Sequence, residues 1–257
     1  MPPPANALHN ANKLKLGLFS LNADGGIAIT KVPERWRADW AEIAEVAQMV
    51  DRAGFEFILP IARWKGFGGE LDVRTLCFET FTFASALSAM TEQITIFFTV
   101  HVPVVHPVFA AKALVTVDHV SGSRAGLNIV AGWNQGEFDM FGHAPAEHDR
   151  RYEQGLEWFD VMSKIFTSKE RFDHDGEFYK LNRQLDTNEI FNERKRYAGS
   201  LSSHPLIGRP EKIVDELVRL QSAGIDGVTL SFVNFKNELP FFIDRVLPLL
   251  RQAGLRQ

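Results

Sequence analysis

The stretch RAGLNIVAGWNQGEFDMFG, residues 124–142, followed after a polar loop by HDRRY at 148–152, decides the reading of this chain. Ala125 to Ala131 is an apolar run with a single amide, Asn128, inside it, and Gly132 and Trp133 close it. A parallel strand buried on both faces has this pattern when its end opens into a binding loop. The second half brings Glu137, Arg151 and Tyr152 to the neighbourhood of that strand end.

Working outward, the same theme repeats. Upstream, strands are expected over Leu14–Ser20, Phe55–Ile61 and Ile94–His101. Helices are expected over Trp40–Ala53, Leu76–Met90 and Pro107–Val120, with Gly54 and the 121–123 turn as stops. Downstream, Tyr152–Phe166 reads as a fourth helix. Four strand–helix units in succession imply a parallel sheet or barrel. The alternation then fails. Residues 168–206 are polar with short apolar pieces, and His174-Asp175-Gly176 marks a turn between two short extended segments. A helix (Arg209–Ala223), a strand (Gly227–Phe235) and a helix (Pro240–Leu250) close the chain. An eight-fold barrel takes about 250 residues, and residues 169–257 hold one convincing strand, so a complete barrel does not fit.

Composition bounds the rest. Of 257 residues, 45% are apolar and 23% charged, the balance of a globular protein. A net charge of -4 gives no cationic surface for nucleic acid. MPPPANALHNANK lacks an apolar segment, so residues 1–13 read as a disordered leader rather than a signal peptide, and no run approaches the ~18 apolar residues of a membrane span. The expectation is a cytoplasmic protein without nucleic-acid or membrane partners. Cys77 is the single cysteine and reads as a packed thiol at a helix start. Metal, Walker and dinucleotide motifs are absent from the sequence.

Several residues carry possible chemistry. Asn128 in an apolar strand needs a hydrogen-bond partner, and its place beside Gly132-Trp133 favours ligand contact over a structural amide. Arg151 and Tyr152 at a helix start make a suitable phosphate seat; by themselves they equally describe a surface arginine beside a packed tyrosine. Glu137 alone reads as a solvated loop carboxylate. In Ala62-Arg63-Trp64-Lys65, backbone groups could meet a flat ring and the cations could stabilise negative charge. Trp36 and Trp40 either wall a pocket or staple the first helix. His101 and His106 read as hydrogen-bonded structural histidines before acid–base groups.

Together the stretches FEFILPIARWKGFGG, FAAKALVTVDHVSGSRAGLNIVAGW, EHDRRYEQGLEWFD and LIGRPEKIVDEL resemble the luciferase-like flavin-dependent monooxygenases, in the branch that includes pyrimidine and dimethylsulfone monooxygenases. The resemblance covers residues 14–184 and 205–251. It implies a (β/α)8 TIM-barrel-derived α/β fold with reduced FMN, supplied by a separate flavin reductase, at the carboxyl ends of the strands. By motif match the FMN contacts fall on Ala62, Arg63, Asn128, Glu137, Arg151 and Tyr152. The implied chemistry is oxygenation of a small organic substrate by O2 through a flavin C4a-(hydro)peroxide, with Arg63, Trp64 and Lys65 as catalytic residues.

The chain departs from the family pattern after FYKLNRQ, near 185–205, where a fifth strand with a phosphate-gripping loop and units five to seven would follow. Ser200, Ser202 and Ser203 do not inherit that role. The implied fold is therefore an incomplete or shortened barrel in one domain over 14–257, its open side either covered by a second copy in a homo-oligomer or closed by rearrangement of the shortened barrel. A flavin-binding protein without oxygenase turnover is the alternative.

Overall fold

A computed structural model describes residues 6–12, 15–26, 30–143, 147–184, 206–225, 228, 238 and 240–255. The chain divides into two compact units, Met1–Asn192 and Glu193–Gln257. The first is built on four parallel strands in sequential order, β1 (Gly17–Phe19), β2 (Phe57–Leu59), β3 (Thr95–His101) and β4 (Ala125–Val130). Helices α1 (Trp40–Arg52), α2 (Thr80–Met90) and α3 (Pro107–Ser121) make the crossovers. Among the described residues this sheet is open, as expected of a shortened luciferase-like barrel.

Each crossover helix starts where the sequence supplies a cap. Asp39 accepts the Ala41 and Glu42 amides at α1, and Glu79 accepts those of Phe81 and Thr82 at α2. His106 Nδ1 accepts the Val108 amide at α3, where Pro107 occupies the first turn and Gly122, at φ +66, ends the helix. Helix α2 begins four residues later than the sequence implies. Cys77 stands ahead of it in an extended bridge to Ala23, because the Glu79 carboxylate captures the first free amides.

Strand β3, TIFFTVH, forms the centre of the core, buried against Ile43 and Ala47 of α1, Leu87 of α2 and Ala110 of α3. Strand β4 departs from the expected burial on both faces: all six residues are only half-buried. It pairs with β3 and, among the described residues, with no further strand, so one edge and part of a face lack cover. Two elements follow: α4 (Gln135–Met140) and α5 (His148–Thr167). Trp158, Val161, Met162 and Ile165 of α5 bury against the core at helical spacing. A hairpin, β5 (Phe172–Asp175) with β6 (Lys180–Gln184), lies on α5, whose Glu157 carboxylate accepts the Glu177, Phe178 and Tyr179 amides.

The amino ends of the strands are closed by satisfied charges. Arg124 donates to the carbonyls of Ser88, Thr91, Ile94 and Ser121, and Asp51 accepts the amides of Glu92, Gln93 and Ile94. Within the stretch read as a disordered leader, Ala7–His9 form a 3-10 turn, and the Asn10 and Asn12 amides reach the Glu56 carboxylate at 2.8 and 2.6 Å. Glu56 is buried and needs such donors.

The second unit contains α6 (Pro210–Ser222), a π-helical turn (Phe242–Val246) and α7 (Leu247–Gln252) around Val214, Leu217, Phe242, Val246 and Leu250. The final helix is not regular as expected, because Pro248 has no amide hydrogen for the turn before it. Of the strand expected at 227–235 only Val228 is among the described residues, and Ser200, Ser202 and Ser203 lie outside them.

Candidate active site

The carboxyl ends of β2, β3 and β4 bring together residues far apart in sequence. After β2 the chain runs through Pro60 and Ile61 to Ala62, Arg63 and Trp64. Asn22, fully buried beyond β1, fixes this exit by accepting the Ile61 amide at 2.9 Å and donating to the carbonyls of Ile61 and Phe78. After β4 the chain turns at Gly132, φ +81, where an added Cβ would stand 2.7 Å from the Phe138 ring. Asn134 then caps α4 through the Gly136 amide at 3.0 Å. That six-residue helix places Glu137 inward.

Glu137 is the hub. It is 1% exposed, against the expectation of a solvated loop carboxylate. Its Oε1 accepts from Arg63 Nη1 at 3.0 Å and from the Trp64 amide at 2.9 Å. Its Oε2 faces His101 Nδ1 at 3.6 Å, beyond hydrogen-bonding length. A buried carboxylate requires such pairing, and a buried guanidinium requires it equally. Burial pushes the His101 imidazole below its ordinary value, Glu137 pulling it up and Arg63 pushing it down.

Aromatic rings wrap the cation. The Arg63 guanidinium lies over Phe67 at 4.8 Å and over Trp133 at 5.2 Å, and the two rings stack with centroids 6.3 Å apart. Trp64 meets Phe141 edge-on at 5.0 Å. Phe67 and Trp133 are exposed on their outer sides, so the cluster forms a wall facing solvent. Beside it runs a cleft lined by Ala62, Arg63, Trp64, Cys77, Phe78, Glu79, Thr80, Phe81, Thr99, His101 and Val105. The Cys77 thiol is pushed up to about 12 by burial, so it lines the cleft as a neutral group.

The other expected residues take distinct places. Asn128 donates to Thr99 Oγ1 at 3.1 Å, and that hydroxyl donates to the Pro60 carbonyl at 2.6 Å. One amide hydrogen of Asn128 is thus structural. Arg151, in the first turn of α5, donates from Nη1 to the Gly132 carbonyl, while its Nε is buried with no protein partner. Tyr152 is 57% exposed against the His148 ring, away from this cluster. Lys65 stands beside Gly136 at the start of α4. Trp40 staples α1 to Phe78 and Phe83, and Trp36 donates to the Leu21 carbonyl. Among the described residues no three His, Cys, Asp or Glu side chains converge as a metal site would need, and no helix is long and apolar enough to cross a membrane.

Asn22, Thr99 and the contribution of α4 were not singled out by the sequence reading. The signal for α4 is short: Asn134 at a cap position and an acidic residue in the first turn.

A profile of the luciferase-like monooxygenases matches residues 14–196. The chain belongs to this family. It is 32% identical over 170 residues to the FMNH(2)-dependent dimethylsulfone monooxygenase of Pseudomonas putida, covering 66% of this chain and 45% of that protein. It is 28% identical over 170 residues to the pyrimidine monooxygenase RutA of Bradyrhizobium sp. (strain BTAi1), covering 65% and 47%. Among solved structures, the EDTA monooxygenase (EmoA) from Chelativorans sp. BNC1 aligns with a TM-score of 0.58 at 21% identity over 68% of this chain and 49% of that one. The chain spans about half the length of the curated family members it matches. The matched residues 14–196 include β1 to β4 and the site at their carboxyl ends.

Proposed function

We propose that this luciferase-like chain is a flavin-dependent monooxygenase acting on a small organic molecule, with reduced FMN at the carboxyl ends of β1–β4. One observation supports the reading above others. Arg63 and Arg151, from different elements, each keep a buried Nε without a protein partner. An orphaned guanidinium donor is costly unless a ligand acceptor meets it. A flavin offers ring carbonyls and a phosphate, so the residues fit the group. Ala62, Arg63, Asn128, Glu137, Arg151 and Tyr152 would hold it, Tyr152 by turning its exposed phenol. Bound reduced FMN, supplied by a separate flavin reductase, brings the activation of O2.

The chain's own residues do the rest. Glu137 holds Arg63 and the Trp64 amide in place, so the donors at the cleft need no reorganisation. Trp64, Phe67, Trp133 and Phe141 stand on the solvent side of these donors, and a bound ligand packed on them would keep water out. Lys65, at the edge of α4, adds a second cation. The protein works in the cytoplasm as a homo-oligomer, and a second copy covers the open β4 side. Turnover with NAD(P)H, a flavin reductase and FMN tests the reading: with the family's substrate classes offered in turn, oxygenated product is expected from at least one.

The half-buried β4 favours a second reading, a flavin-binding protein without oxygenase turnover, since a site open along one strand does not keep water out. Hydrogen peroxide as the only product of the coupled assay would refute the first reading, and saturable FMN binding beside it would establish the second.

A further inference from the structure

His101 ends β3 with its side chain buried, yet it lines the cleft beside Arg63, Thr99 and Cys77. Its backbone carbonyl accepts the Val104 and Val105 amides, so the main chain there is satisfied without the ring. The ring itself faces a carboxylate. Glu137 Oε2 stands 3.6 Å from Nδ1, whereas Oε1 is already taken by Arg63 and the Trp64 amide. A histidine used only for packing needs no buried carboxylate across from one nitrogen. With the ring proton on Nδ1, toward Glu137, the lone pair is on Nε2.

The charges around the ring are few and come from each neighbouring element. Glu137 on α4 is negative and Arg63 after β2 is positive, and they pair. Glu79, ahead of α2, is spent on the helix amides, and Cys77 is a neutral thiol. The Tyr179 phenol donates to the Val102 carbonyl one residue on. With His101 neutral, the Arg63–Glu137–His101 cluster carries no net charge. A neutral ligand fits such a cleft better than an anion. A proton passed to Nε2 leaves the cluster at +1 and the ligand at -1, so the cleft as a whole stays neutral.

We propose that His101 is a catalytic proton acceptor of this site, with Glu137 as its positioning residue. In the step, a neutral ligand bearing a weakly acidic N–H or O–H gives its proton to His101 Nε2. The electron pair of the broken bond stays on the ligand, whose new negative charge lies between the imidazolium and Arg63. The Nδ1–H of the imidazolium then closes on Glu137 Oε2. The proposal rests on the assignment of this cleft as the reaction site.

The test uses the full chain, first by NMR titration of the His101 Cε1–H signal without flavin. His101 ionises below the ordinary histidine range; Glu137→Gln lowers its ionisation further, and Arg63→Gln raises it. These opposed signs leave a reading even if one variant fails to fold. The coupled assay follows, with FMN affinity measured alongside. The rate of the wild type falls as pH drops through the ionisation of His101. His101→Gln loses that acid limb and about 10²–10⁴-fold in turnover, with FMN affinity unchanged. Absence of FMN binding or turnover in the wild type sinks the assignment of the cleft, and this proposal with it. Turnover that keeps its acid limb in His101→Gln, or a His101 titration indifferent to Glu137, overturns this proposal alone.

Discussion

Replacing Arg63 and Glu137 singly and together by methionine gives a direct measure of the hub. The two side chains are 4% and 2% exposed and joined at 3.0 Å, so neither has water to fall back on. Removing one partner of such a pair leaves a buried charge and costs about 3–5 kcal/mol. Removing both takes that penalty away. What remains is the loss of an acceptor for the Trp64 amide, about 1–3 kcal/mol. Two singles near 3 kcal/mol each and a double near 3 give a coupling energy of about 3 kcal/mol, the upper end for networked residues. Urea unfolding followed by tryptophan fluorescence reads the three variants, with equal m values as the control. Additivity within about 0.5 kcal/mol would refute the claim that the two residues form one buried unit.

Two further outcomes follow from the same geometry. Gly132→Ala places a Cβ 2.7 Å from the Phe138 ring at a residue with φ +81. Left-handed strain of about 1–2 kcal/mol and overpacking of about 1–3 kcal/mol lower stability in urea, and the displaced α4 weakens flavin binding with it. Glu56 is held down to about 2 by the Asn10 and Asn12 amides and the Leu16 amide. Its folded value lies below its unfolded one, so its contribution is complete above the ordinary glutamate range and is lost as pH falls toward 2. Urea midpoints measured down that window fall less steeply in Glu56→Gln than in the wild type.

The parallel sheet was legible because its signals are local. The run TIFFTVH, the Pro107 start and the Gly122 stop specify β3 and α3 within a few residues. The same locality hid the burial of β4: AGLNIV reads as a strand covered on both faces, but cover comes from neighbours that its own residues do not encode. The site was legible as a neighbourhood and not as a geometry. Arg63 and Glu137 were both singled out, yet the ion pair joins a loop to a helix, 74 residues apart. It depends on α4, too short at six residues to show a hydrophobic period. Tyr152 shows the limit from the other side: one residue from Arg151 in sequence, it points to solvent while Arg151 turns to Gly132.

The central claim is that the carboxyl ends of β1–β4 form a flavin site within this chain. Titration of the purified protein with oxidised and reduced FMN, followed by flavin and tryptophan fluorescence, tests it most directly. The account predicts saturable binding at micromolar FMN, quenching of Trp64 and Trp133 emission, and loss of affinity in both Arg151→Ala and Asn128→Ala. Flavin fluorescence unchanged in both redox states, or binding indifferent to both substitutions, would contradict it.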